Sequence, residues 1–282
     1  MHILEPKIKD LGGFTIQRYI PQVGYKHIGP WVFFDHAGPA SFDAGKGIDV
    51  RPHPHIGLAT VTYLFEGELI HRDSLNIVQP IRPGALNIMI AGKGVVHSER
   101  TDADYRRQPH TLHALQLWCA LPDMYETCEP SFLHYTSEEI PHYKKDGIQA
   151  RILMGTAHGK TSPAHAYADA LYVEYHINAG RSITLPEAPQ RALYLLSGKA
   201  DMNNDMLEKH MFVVVEEGNI IIHAKTDLHM VLIGGTSVGP RHIDWNFVAS
   251  DKQLIEEAKL RWKAGDFAHV PGDDEYIPLP DA

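Results

Sequence analysis

Along most of this chain, apolar residues fall in short runs of alternating apolar and polar positions, and turn residues break those runs. Alternation with a period of two is the mark of half-buried strands. The pattern predicts strands over Gly12–Ile20, Trp31–Asp35, Thr60–Phe65, Leu86–Ile90, Val95–Glu99, His113–Ala120 and Glu129–Tyr135. Glu66-Gly67 is a turn, with Glu68–Asp73 as its hairpin partner, and His36–Gly47 reads as a loop. The second half restarts with Ile148–Met154, then Leu171–Ile177, Leu193–Leu196, Phe212–Val215, Asn219–Ala224 and Leu228–Ile233. Many short strands with frequent turns predict an all-β sandwich or barrel. The end of the chain changes period. Ser250 followed by Gln253 resembles a capping box, Ile255, Ala258 and Trp262 recur at helical spacing, and Gly265 is a stop signal. A helix over Asp251–Ala264 follows, then an extended tail over Gly272–Ala282.

A weak internal repeat points to two domains. Val61-Thr62-Tyr63-Leu64-Phe65-Glu66-Gly67 is similar to Ala192-Leu193-Tyr194-Leu195-Leu196-Ser197-Gly198. With a polar, proline-bearing stretch over Ser137–Gly147, this predicts one domain over residues 1–136 and a second over 137–282 carrying the helix and tail. In that register His53 and His55 fall opposite Thr184 to Pro186, and His97 and Glu99 near Leu228 and Met230. The second copy then lacks the polar residues of the first.

Composition narrows the functions. The chain has 282 residues, 44% hydrophobic and 22% charged, which suits a globular protein with a sizeable core. A net charge of −9 and the absence of any Lys/Arg run argue against direct nucleic-acid binding. No apolar run is long enough for a membrane span, and no apolar signal core opens the chain. Two cysteines, Cys119 and Cys128, build no disulfide framework, and a reducing cytoplasm is the expected location.

The candidate chemistry lies between Arg51 and Arg100. His53-Pro54-His55 opens this stretch and His97-Ser98-Glu99 closes it. Residues i and i+2 of a strand share a face, so each triplet aims two potential ligands the same way. A barrel that joins the two triplets makes a mononuclear metal site from His53, His55, His97 and Glu99. Imidazoles and a carboxylate suit Fe, Cu, Ni or Zn. A six-coordinate ion keeps open positions there, whereas tetrahedral zinc is saturated. His71 is expected at the surface or in support of the site, His110 and His113 as supporting or structural residues, Gln116 has no fixed role, and His223 and His229 read as structural.

The runs HPHIGLATVTYLFEGELIHRDSL and PGALNIMIAGKGVVHSE, with HALQLWCALP, WNFV and VPGDDEYIPLP, resemble the pirin family of the cupin superfamily. That resemblance covers most of the chain. It implies two cupin-type β-barrel (jelly-roll) domains, with one metal in the first held by His53, His55, His97 and Glu99. The second barrel then lacks metal ligands. The metal is expected to be Fe(II), with Mn, Ni, Cu or Zn as alternatives. The resemblance implies quercetin 2,3-dioxygenase activity on a flavonol and dioxygen. For that reaction Glu99, the carboxylate placed at the site, or a water beside it is the candidate base, and Phe33, Ile88, Met89 and Val96 are expected along the pocket. It also implies an alternative, a metal- or redox-dependent regulator that binds a transcription factor or metabolic enzyme. In many cupins a glutamate ligand follows the HxH pair. Ala59 and Thr60 stand there, which leaves Glu99 as the carboxylate.

Overall fold

The computed structural model describes residues 1–10, 14–215 and 218–280. Gly12 and Gly13, at the start of the first expected strand, lie outside the described residues, as do Asp281 and Ala282 of the tail. The fold is all-β with one short C-terminal helix, and its strands form two jelly-roll barrels.

The two barrels repeat one sheet plan. In the first, a central sheet runs in the order Ser131–Tyr135, Leu86–Ile90, Leu58–Glu66, His110–Ala120, Trp31–Phe42, Thr15–Ile20, Lys7–Asp10. Facing strands run Asp49–His55, Val95–Arg100, Leu69–Asp73, Val78–Ile81. In the second, the orders are His2–Leu4, Phe212–Val215, Gln190–Ser197, Leu228–Gly235, Ala170–Ile177, Ile148–Met154, His142–Lys145, and Ser182–Thr184, Ile221–Ala224, Lys199–Met202, Asp205–Glu208. The repeated heptapeptides occupy matching strands. Each ends in a glycine at positive φ, Gly67 at 95° and Gly198 at 87°. A Cβ there would meet a neighbouring carbonyl oxygen, Thr111 O at 2.5 Å or Asp227 O at 2.2 Å.

The division of the chain is not sequential. One compact unit comprises Ile8–Gln17, Phe34–Ser137 and Val238–Ala282, and the other Met1–Lys7, Arg18–Phe33 and Glu138–Ser237. The expected blocks 1–136 and 137–282 therefore differ at both ends. The N-terminal strand His2–Leu4 pairs with Phe212–Val215 and supplies the edge of the second barrel. The helix and tail group with the first. Their apolar face explains why: Phe247, Ala249, Ile255, Ala258, Phe267 and Val270 form one buried cluster with Ile56 and Val96.

Two local expectations change. The strand that begins at Trp31 continues to Phe42 through the stretch read as a loop. It lies beside His110–Ala120 in the sheet, and that pairing overrides the weak strand preference of Gly38, Pro39 and Ala40. The helix spans Lys252–Ala264 with Asp251 as N-cap, its side chain accepting from the Gln253 amide at 2.9 Å. Ser250, the expected cap, instead donates its amide and hydroxyl to Glu126 at 2.9 and 2.7 Å.

Candidate metal centre

His53 and His55 sit on Asp49–His55, the edge strand of its sheet, where Pro52 and Pro54 are tolerated because no outer ladder needs their missing N–H. The neighbouring strand carries His97 directly opposite His53. Between His97 and Glu99 the register slips by one residue, and Glu99 pairs with Val50. Such bulges re-aim side chains. The potential donor atoms of His53, His55 and His97 all lie within 4.8 Å of one another, and all three side chains are buried.

The surrounding hydrogen bonds fix how these rings carry their protons. His53 Nδ1 lies 2.9 Å from the Arg51 carbonyl, and His55 Nδ1 lies 3.0 Å from the Asn246 carbonyl. A carbonyl only accepts, so both Nδ1 atoms are protonated and both Nε2 atoms keep lone pairs. His97 is reached through a longer chain. His71 Nε2 faces the Asp73 carboxylate at 3.0 Å and its Nδ1 faces His97 Nδ1 at 3.4 Å. Asp73 is itself held by the Leu75 and Ile77 amides at 2.8 and 3.1 Å. With His71 neutral, its Nε2 donates to Asp73 and its Nδ1 accepts from His97. His97 Nδ1 then carries the proton, and its Nε2 is bare. That bare Nε2 stands 3.1 Å from the bare Nε2 of His55.

Two facing lone pairs at that distance repel each other unless a cation sits against both. A proton is a poor candidate. Burial, with mutual repulsion among the rings, holds His55 and His97 well below the ordinary histidine range, and burial brings His53 down to about 4. The donor set therefore fits a divalent metal held by neutral imidazoles, with ring orientation set by hydrogen bonds at the far nitrogens.

Glu99 lies two residues along the strand from His97, past the register slip, and is not among the residues whose donor atoms gather within 4.8 Å. Thr62 Oγ1 lies 3.3 Å from its Oε1 and 2.9 Å from Gln116 Oε1. Burial raises the Glu99 carboxyl above its ordinary value, and the hydrogen bond from the Thr62 hydroxyl opposes that rise. Trp118 packs edge-on against His55 at 5.1 Å, and Phe132 stacks on His71 at 4.5 Å.

The same geometry gives a pH dependence for the metal-free protein. In the unfolded chain a histidine binds its proton near pH 6.5; in the fold, His53 does so only near pH 4. The unfolded state thus holds more protons in this window, and stability falls as pH drops through it. From His53 alone, chelator-treated protein is expected to lose about 2 kcal/mol between pH 7 and pH 5. Urea midpoints at the two pH values check this. The drop should shrink in His53→Ala, and an equal drop in both chains would refute the assignment.

Comparison with known proteins places the chain. The Pirin family model matches residues 13–119, and the model for the Pirin C-terminal cupin domain matches 172–268. A pirin-like protein of Caulobacter vibrioides is 41% identical over 99% of both chains. The chain belongs to the pirin family. Among its pirin relatives, a Pseudomonas aeruginosa protein provisionally named a quercetin 2,3-dioxygenase is 35% identical, over 90% of this chain and 81% of that one. The crystal structure of a quercetin 2,3-dioxygenase from Acinetobacter baumannii matches with a TM-score of 0.91 at 34% identity, covering 100% of this chain and 95% of that one.

Within this pirin the other expected residues divide. His71 joins the trio as a supporting ring. His113 pairs instead with His36, Nε2 to Nε2 at 2.8 Å, and His110 stacks on Phe42 at 5.3 Å. Val96 does not line a pocket at the trio. It points to the opposite strand face from His97 and packs with Phe247 and Ile255. Phe33 lies under the Arg18 guanidinium at 4.2 Å, in the other unit. Met89 clusters with Ala91 and Val95. Sequence reasoning missed Asp73, Thr62 and the Asn246 carbonyl. His71-Arg72-Asp73 carried a usable signal, since i and i+2 share a strand face; Asn246 carried none.

In the second barrel, the strands equivalent to the two histidine strands are Ser182–Thr184 and Ile221–Ala224. Ile183 lies opposite Ile222, and both belong to the apolar core. This corrects the expected register, which placed the counterparts of His97 and Glu99 near Leu228 and Met230. Burial also pushes the Cys119 thiol up to about 12, in keeping with a packing role. Among the described residues, no helix is long and apolar enough to cross a membrane.

Proposed function

We propose that this chain is a mononuclear metal dioxygenase of the quercetin 2,3-dioxygenase type. In this reading His53, His55 and His97 hold the ion, Fe(II) in the native protein, and Glu99 completes the ligand set. The observation that carries the reading is the convergence of three buried imidazoles whose donor atoms lie within 4.8 Å of one another. Similarity to the Acinetobacter baumannii quercetin 2,3-dioxygenase over the whole chain supports the substrate class.

Bound there, the metal supplies Lewis acidity and a template for dioxygen. The chain supplies the rest. Glu99 takes the proton of the flavonol 3-hydroxyl at a carboxylate oxygen, and burial makes that oxygen a stronger base than an exposed glutamate. The Thr62 hydroxyl orients the carboxylate, and Trp118 fixes the plane of His55. The flavonol takes up one O2, its central ring opens, and one CO leaves with the depside product.

Oxygen uptake and CO release on quercetin, measured beside metal content, test the reading. Glu99→Gln weakens one ligand and removes the base, so turnover per bound metal is expected to fall by at least about 100-fold. Full turnover in metal-free protein, or in Glu99→Gln, would sink it.

A further inference from the structure

The second barrel carries its own cluster of ligand-type side chains, on the face turned away from its core. Along Ala170–Ile177, Val173, Tyr175 and Ile177 fill the core. Strand alternation therefore sends Glu174 and His176 outward together. On the antiparallel neighbour, Leu228 and Met230 point into the core and His229 points outward, directly opposite His176. The two imidazoles stack with centroids 4.0 Å apart and planes 20° apart. Both Nε2 atoms converge on one carboxylate oxygen, Glu174 Oε1, at 2.9 Å from His229 and 3.3 Å from His176. The other oxygen, Oε2, faces Arg151 Nε at 3.7 Å.

Three features set this cluster apart from ordinary exposed polar side chains. Ligands bound at about 2.0–2.1 Å stand about 2.8–3.4 Å apart around a metal, from octahedral to tetrahedral geometry, and the 2.9 and 3.3 Å separations fall in that range. Arg151 occupies the far oxygen, so Oε1 is the one presented to the histidines, as supporting contacts orient a ligating carboxylate. Access is open from one side: the Glu174 side chain is 5% exposed, His229 17% and His176 55%. The plan also repeats that of the first barrel, with two residues at i and i+2 of one strand and a histidine across the ladder.

We propose that Glu174, His176 and His229 form a second metal site, independent of the first, for an exchangeable divalent transition ion of the zinc, nickel or copper kind. Two imidazoles and one carboxylate suit borderline ions, and the exposed His176 edge lets the ion exchange with solvent.

Equilibrium dialysis of the chelator-treated full chain against Zn²⁺, with metal counted by mass spectrometry, tests this. Wild type is expected to bind two equivalents, and His176→Ala and His229→Ala one each. His176 is exposed, so its variant should keep the wild-type melting curve and separate loss of metal from loss of fold. With Cu²⁺ loaded into His97→Ala, the electron paramagnetic resonance spectrum should show coupling to two imidazole nitrogens, and adding His176→Ala should remove that signal. A wild-type chain that stops at one equivalent, or a second equivalent that survives His176→Ala, overturns the proposal.

Discussion

His97→Ala is expected to abolish metal binding in the first barrel and quercetin turnover with it. His97 is where two lines of the site meet. Its Nε2 faces His55 at 3.1 Å, and its Nδ1 continues through His71 to Asp73. Without it, His53 and His55 remain as an adjacent pair on one edge strand, with no imidazole across the ladder. Loss of a supporting contact alone typically costs 10- to 100-fold in metal affinity, so loss of the ligand is expected to exceed about 100-fold. Asp73→Asn should fall in the intermediate range, because an amide orients the His71 ring less firmly than a carboxylate. Metal content after dialysis, measured in the His176→Ala background, isolates this site. Retention of one equivalent in His97→Ala would contradict the assigned ligand set.

Gly57→Ala is expected to be among the most destabilising single changes in the metal-bearing barrel. Gly57 turns the chain from the strand of His53 and His55 into Leu58–Glu66. Its φ is +67°, and a Cβ would lie 1.9 Å from the Val248 carbonyl oxygen. Movement to relieve that clash is opposed on every side. The Gly57 amide donates to Gly92 O at 2.9 Å, the Leu121 amide donates to Gly57 O at 3.0 Å, and the Val248 amide donates to Ile56 O at 3.2 Å. Left-handed backbone strain costs an alanine about 1–2 kcal/mol, and a backbone clash adds to it, for a total of about 3–5 kcal/mol. Gly45→Ala is the control. It has φ +83° with nothing within 4 Å of the added carbon, so only the strain applies. Denaturant midpoints at unchanged slope measure both. Equal losses in the two variants would show that the clash relaxes freely.

The ligand pattern was legible because strands have a short period. His53 and His55 are a pair that a two-residue repeat places on one face, and no tertiary information is needed to see it; the same repeat paired His97 with Glu99, where the bulge intervenes. The strand of Thr60 to Phe65 and its hairpin partner were legible for the same reason. Register across the barrel was not. The heptapeptide match fixed one pair of strands, but extending it through gapped turns led to Leu228 and Met230 rather than Ile222. Nor did the pattern single out Glu174, His176 and His229. Glu174 and His229 lie 55 residues apart, and only strand pairing makes them neighbours.

By itself, the sequence determined the strand-rich fold, the two histidine pairs and the acidic, strand-punctuated character of the chain, because each depends on residues within one strand or turn. The tertiary structure alone decided which nitrogen of each histidine is free. That choice rests on Asn246, 191 residues from His55, and on Asp73 acting through His71. It also decided which ends complete which barrel, with the N-terminal strand in the second and the helix and tail in the first. The physical reason is common to both. Hydrogen-bond partners and buried apolar faces are matched in space, and a chain that returns after many residues leaves no local periodicity to announce where it will pack.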